Sequence, residues 1–263
     1  MTDLPGTRTA LFVPGDRPDR FAKAAATGAL VVLDLEDAVA PAARPAARQN
    51  VRRWLEGSGS GVVRVQASNA PGHADDVAAA QGAPGLLGIM LARAERAENV
   101  RSVRDLTGVP VIALVETAVG IAAARELAGC ADRLALGDQD LALDFGVSPR
   151  SPLVRVLATE LVLASRLAGL PPPLDGVTPE IDDDDRLISD ATASRHGGFG
   201  GKLCIHPRQV PLVELAFRPS EREIAWARSV LATDREGGGV STADGAMVDR
   251  PLLERARLVL RDI

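Results

Sequence analysis

The stretch VVLDLED, residues 31–37, sets three carboxylates, Asp34, Glu36 and Asp37, at the end of a run that otherwise reads as a buried strand. Side chains alternate along a strand, so Val32, Asp34 and Glu36 share one face and Leu33 and Leu35 the other. The leucines suit a covering layer of helices, which leaves Asp34 and Glu36 pointing into the interior. The next strand, VVRVQ at 62–66, repeats the pattern: Arg64 and Gln66 face one way, Val63 and Val65 the other. A buried cation is therefore expected beside the buried anions, because an unpaired interior charge is costly.

Working outward, similar short β-rich runs recur: TALFVPG (9–15), LLGIMLA (86–92), PVIALVET (110–117), RLALGDQD (133–140) and GKLCIHP (201–207), with LDGVTPEI (174–181) a poor seventh strand. Segments rich in Ala, Arg, Glu and Leu lie between them, several closing on Gly as helices often do. Repeated βα units imply a parallel sheet. A doubly wound sheet usually carries a glycine-rich phosphate turn after an early strand. Here the strand ends carry Asp, Glu and Arg instead, which suits the rim of a (β/α)8 TIM barrel. The expectation is an α/β fold: a TIM barrel over residues 1–215 and a C-terminal helical extension over 216–263, with a Gly-rich hinge near 237–239. The acidic run Asp182–Asp185 suits the positive end of a helix start better than a metal cluster, since consecutive side chains diverge.

The rest of the 263-residue chain narrows the class. Its apolar fraction of 46% excludes extensive disorder, and a net charge of −5 with scattered basic residues speaks against nucleic-acid binding. The two cysteines, Cys130 and Cys204, lie far apart with no zinc or disulfide spacing. The N-terminal MTDLPGTRTALFVPG lacks a secretory pattern, and no apolar run is long enough to span a membrane. A soluble cytoplasmic protein is expected.

Two further acids point to chemistry. Glu116 ends VIALVE and Asp140 ends LGDQD, on what read as neighbouring strands. Carboxylates there can share a hard cation such as Mg²⁺, with water and substrate oxygens completing an octahedron. Asp138 has the same strand parity as Asp140, and spacing alone does not choose between them. His73, His196 and His206 are too scattered to suggest zinc.

Taken together, LFVPGDRPDRFAKA (11–24), LDLEDAVAP (33–41), VVRV (62–65), ALVETAVGI (113–121), LGDQDLALDFG (136–146), GKLCIHPRQV (201–210) and MVDRPLL (247–253) resemble the citrate lyase β-subunit-like family of the HpcH/HpaI aldolase superfamily. That family includes malyl-CoA, citramalyl-CoA and citryl-CoA lyases. The ordered motifs span nearly the whole chain. The resemblance implies a TIM barrel in a homotrimer or hexamer, with the C-terminal segment covering a neighbouring subunit's site. It implies Glu116 and Asp140 as Mg²⁺ ligands, Arg64 as the residue holding the substrate carboxyl or carbonyl end, and Glu36 as an acid near the metal waters. Phe12, Arg17 and Lys23 match positions lining a CoA site, and Asp249 matches a lid aspartate acting in the neighbour's site.

The implied activity is Mg²⁺-dependent carbon–carbon cleavage, or synthesis, of a 3-hydroxyacyl-CoA, giving an acyl-CoA and a 2-oxo acid. Thioester hydrolysis is a related fate. The competing expectations are a citrate lyase β subunit working on an acyl-carrier-protein thioester and a CoA-independent pyruvate aldolase. Two departures stand out: Ala92-Arg93 where relatives commonly have Pro-Lys, and a short segment after the sixth strand.

Overall fold

The chain, seen in a computed structural model that describes residues 6–234, 241–243 and 246–261, begins with β1 (Thr9–Pro14), α1 (Phe21–Ala25) and β2 (Leu30–Asp34). The alternation continues through α2 (Arg44–Glu56), β3 (Gly61–Val65), α3 (His73–Ala80), β4 (Leu86–Leu91) and α4 (Ala97–Thr107). Next come β5 (Val111–Val115), α5 (Ala118–Ala122), α6 (Ala124–Ala128), β6 (Arg133–Leu136), α7 (Asp138–Asp144) and α8 (Pro152–Leu167). β7 (Leu174–Asp175), α9 (Asp184–His196), β8 (Gly201–Cys204) and α10 (Gln209–Ala216) complete the series. The eight strands form a closed barrel in sequence order, every neighbouring pair parallel, with β8 returning to β1. This is the (β/α)8 architecture expected from the strand ends.

Strand alternation does the sorting. Leu30, Val32, Val62, Met90, Ile112, Leu114, Ala135 and Leu203 fill the barrel interior, while Leu33, Val63 and Ile89 are equally buried on the opposite parity, which faces the helices. β7 pairs through only two residues because three prolines, at positions 171 to 173, precede it and lack the N–H groups a ladder needs. The acidic run at 182–185 does start a helix: Asp183 caps α9, its side chain accepting from the Arg186 N–H.

Two expectations about strand length require correction. β2 stops at Asp34 and β3 at Val65, so Glu36 belongs to a turn and Gln66 to the following loop. Asp138 and Asp140 lie on the first turn of α7 and not on a strand end. Gly137 ends the extended run, and the backbone turns directly into helix there.

The contacts divide the chain into two compact units, the first ending at Glu214 and the second starting at Leu215. In the second, α11 (Glu221–Asp234), the antiparallel pair β9 (Ser241–Ala243) and β10 (Ala246–Val248), and α12 (Arg250–Arg261) follow α10. α11 and α12 pack on each other through Ala227, Val230 and Ala256, with Trp226, Leu252 and Val259 around them. The expected hinge at 237–239 lies outside the described residues. No described helix is long and apolar enough to cross a membrane.

Candidate active site

The β2–β3 corner of the barrel is built from Asp34 and Arg64, which stand opposite each other in the strand register. Their side chains form a two-pronged ion pair, Arg64 Nε to Asp34 Oδ1 at 2.7 Å and Nη2 to Oδ2 at 2.6 Å. Asp34 also accepts from the Glu36 N–H at 2.9 Å and the Ala38 N–H at 3.1 Å. One buried carboxylate thus aims the arginine and shapes the turn that carries Glu36 and Asp37. Arg64 Nη1 then sits 3.1 Å from Glu36 Oε2 and 3.6 Å from Asp37 Oδ2, and its guanidinium lies 4.6 Å from the centre of the Phe12 ring. Burial works to lower the Arg64 pKa, but Asp34 and the other acids hold it above its ordinary value.

Glu116, just past the end of β5, is buried. Its Oε1 accepts from the Arg93 N–H at 2.6 Å, and its Oε2 presses against Gly137, where any Cβ would stand 2.5 Å away. That close approach is a physical reason for glycine at the β6–α7 junction. Asp140, half-buried, is engaged by its own main-chain N–H and by no side chain among the described residues. Asp138 differs: it accepts from Val177 N–H and from the Gln139 amide, and Gly176 leaves room for its carboxylate. The two candidates that spacing left level differ in their partners, Asp138 being held from Val177 and Gln139 and Asp140 only by its own backbone, while both line the same cavity.

Phe12, Asp37, Arg64, Glu116 and Asp140 line one cavity of about 310 Å³. Burial pushes Glu116 up to about 7, with the Asp140 charge adding and the Arg93 N–H opposing. Burial likewise raises Glu36 to about 8 against the pull of Arg64, and burial followed by the charge of Asp37 raises Asp140. The cavity holds more negative charge than Arg64 neutralises. Among the described residues no group of three or more His, Cys, Asp or Glu side chains is arranged around one metal position. Glu116 and Asp140 therefore offer two hard oxygen donors with room beside them, the chemistry Mg²⁺ favours when water and substrate supply the remaining oxygens.

A second cavity, of about 300 Å³, opens beside the first and is lined by Phe12, Arg20, Lys23, Ile205 and His206. Phe12 and Ile205 belong to both walls. Arg17 does not line this cavity; it forms a paired contact with Asp19, Nε to Oδ1 at 3.0 Å and Nη2 to Oδ2 at 2.8 Å. Arg20 and His206, which line it, are not among the positions that the family resemblance implied for CoA. The signal for Arg20 was available, since residues 20 and 23 are spaced to share a helix face while Arg17 precedes the first turn.

Asp249 belongs to the second unit. It precedes α12 and its Oδ1 accepts from the Leu252 N–H at 3.0 Å, the contact of a helix N-cap.

The model of the HpcH/HpaI aldolase/citrate lyase family matches residues 8–207. A citrate lyase subunit beta-like protein of Mycobacterium tuberculosis is 40% identical over 261 residues, covering 95% of this chain and 93% of the relative. A (3S)-malyl-CoA thioesterase of Cereibacter sphaeroides is 34% identical over 268 residues, covering 96% and 93%. Among solved structures, the CitE protein of M. tuberculosis in complex with magnesium, acetoacetate and coenzyme A is similar with a TM-score of 0.88 and 38% identity, over 98% of this chain and 99% of that one.

Proposed function

Since the chain belongs to the HpcH/HpaI aldolase/citrate lyase family, we propose that it is a Mg²⁺-dependent lyase or synthase of a 3-hydroxyacyl-CoA of the malyl, citramalyl or citryl type. The observation that carries this reading is the shared wall. A cavity of acids and one locked arginine meets a cavity lined by Arg20, Lys23 and His206 across Phe12 and Ile205. A ligand with an oxo-acid head and a phosphate-bearing tail matches that pairing of charges.

Arg64, aimed by Asp34, binds the carboxylate of the oxo-acid portion. Glu116 and Asp140 hold the metal, which when bound supplies Lewis-acid polarisation of the oxo-acid oxygens. In cleavage, the 3-hydroxyl loses its proton and the C2–C3 bond breaks. The electron pair passes to the thioester fragment as the hydroxyl carbon becomes a carbonyl, and that fragment takes up a proton at C2. Glu36, beside Arg64, orients the polar groups around the oxo acid. Phe12, Lys23 and Arg17 serve the CoA portion, Phe12 and Lys23 from the cavity wall and Arg17 from the adjacent surface.

Asp249 serves as the acid/base of a neighbouring subunit's site in a homotrimer or hexamer, with residues 216–263 as the covering segment. The buried, unpaired Cys130 and Cys204 suit a reducing cytoplasm.

Incubation with acetyl-CoA or propionyl-CoA plus glyoxylate or pyruvate, with and without Mg²⁺, followed by mass spectrometry, should yield a new CoA ester that depends on the metal. No new ester in any combination sinks this reading. Hydrolysis of the thioester is a second outcome, supported by the similarity to the (3S)-malyl-CoA thioesterase, and free CoA without the matching acyl-CoA would identify it. Turnover unaffected by Asp249→Ala would remove the lid assignment.

A further inference from the structure

Among the described residues, Arg93 is the one non-glycine residue with a positive φ, at +47°. A side chain in that left-handed region is disfavoured, and it persists where the surroundings over-determine it. The surroundings here are explicit. The Ala92 N–H donates to the Val65 carbonyl of β3 at 3.2 Å, and the Ala94 N–H donates to the Leu114 carbonyl of β5 at 2.9 Å. Residues 92 and 94 are thus tied to strands on either side of β4, and Arg93 between them takes the left-handed turn. The turn swings its N–H onto Glu116 Oε1 at 2.6 Å.

The same loop is fastened once more, by Thr117 Oγ1, which donates to Glu95 Oε1 at 2.9 Å, and it lies close against α5, where a Cβ at Gly120 would come within 2.8 Å of the Ala94 carbonyl. Glu116 therefore has one oxygen held by a strained main-chain donor and the other seated in the notch at Gly137. The Arg93 side chain, by contrast, is exposed and lines a neighbouring polar cavity with Asn69 and Glu95 that shares Asp37 with the acid cavity; its charge acts on Asp140, whereas Glu116 meets its main chain.

We propose that Arg93 is a positioning residue for Glu116, acting through its main-chain N–H, and that the left-handed backbone and not the guanidinium is what this position supplies. The proposal rests on the reading of Glu116 as a metal ligand. A donor on Oε1 leaves Oε2 and the remaining lone pairs free, so the carboxylate is oriented before any cation arrives.

The test uses the full chain and Mn²⁺ alone, with affinity measured by calorimetry and folding checked by thermal melting. Arg93→Asn and Arg93→Gly keep the N–H and accept a positive φ, so their affinities should lie within about threefold of the unaltered protein. Arg93→Val keeps the N–H but strongly disfavours that φ, and should bind Mn²⁺ at least tenfold more weakly. If Arg93→Val does not fold, Arg93→Ala supplies the same comparison with a smaller Cβ penalty.

Equal weakening in the Asn, Gly and Val variants would assign the effect to the lost guanidinium and overturn the proposal, as would undiminished binding by a folded Val or Ala variant. Glu116→Gln addresses the underlying reading separately, since unchanged Mn²⁺ affinity there removes Glu116 as a ligand. The lock itself is then judged from crystal structures of the metal-free Arg93→Asn and Val (or Ala) variants. The proposal expects Glu116 in place in the first and displaced in the second, and an undisplaced Glu116 in both overturns it.

Discussion

Two corners of the same barrel rim handle buried charge in opposite ways. At the β2–β3 corner, Asp34 and Arg64 satisfy each other, and the remaining lone pairs of Asp34 go to the turn at 36–38. At the β5–β6 corner, Glu116 accepts from the Arg93 N–H and Asp140 from its own backbone, and among the described residues no side-chain cation forms an ion pair with either. The Asp34–Arg64 pair is complete as folded, although burial raises Glu36 beside it to about 8. At the second corner, burial and the neighbouring charge of Asp140 raise Glu116 to about 7, because two nearby carboxylates resist joint ionisation. On the proposed reading, the pair matched within the protein presents a group for the substrate, and the unmatched pair is where the metal would bind.

The sharpest way to break that contrast is Glu116→Gln, which keeps shape and removes the donor. Turnover with Mg²⁺ should fall by about 10³-fold, since a bound metal contributes several kcal/mol of charge stabilisation, and steady-state assays across Mg²⁺ concentrations would show it. Loss of less than about tenfold would mean the acid corner does not hold the metal.

Arg64→Ala attacks the completed corner and leaves Asp34 buried and unpaired. Chemical denaturation should register a loss of about 3 kcal/mol, and kcat/KM for the CoA ester should drop by about 10²-fold as the carboxylate anchor goes. Asp34→Asn with Arg64 intact should cost less stability while misaiming the guanidinium.

Gly137→Ala makes a smaller cut in the acid corner alone. The new Cβ would stand 2.5 Å from both Cβ and Oε2 of Glu116. Displacing that side chain is an overpacking change worth about 1–3 kcal/mol, so metal affinity should weaken by about tenfold while the β2–β3 ion pair is untouched.

The mildest effect is on pH dependence without metal. Glu36 is raised to about 8 and Glu116 to about 7, so the folded protein retains protons that the unfolded chain releases near the ordinary glutamate value. That contribution to stability is fully present below about pH 4.5 and is lost as pH rises through about 7 and about 8. The melting temperature of metal-free protein should fall between ~pH 5.5 and ~pH 8.5, and Glu36→Gln should flatten the slope.

Much of this architecture was legible without coordinates. Alternation in VVLDLED and VVRV predicted that Asp34 and Arg64 share the barrel interior, and they do so at paired register positions. The βα rhythm and polar strand ends predicted the barrel, including the weakness of its seventh strand. The strand assignments failed where strands stopped early, although Glu36 still turns inward to Arg64. Glu36 and Gln66 were assigned by extrapolating an alternation beyond β2 and β3, and Asp138 and Asp140 by extending β6 through Gly137 into what is a helix. Period-two reasoning holds only while the ladder lasts, and strand ends are set by neighbouring strands and not by local sequence.

The sequence by itself determined the βα repeat, the inward acids and arginine, the two acids at Glu116 and Asp140 and the family motifs, because all of these rest on residue type and local spacing. Only the tertiary structure decided that Asp138 accepts from Val177 and Gln139, that Arg20 and not Arg17 lines the neighbouring cavity, and that the Arg93 N–H donates to Glu116. Each of those depends on hydrogen bonds or cavity walls contributed by strands and turns remote along the chain, and a main-chain donor aimed by a left-handed turn has no side-chain signature to read.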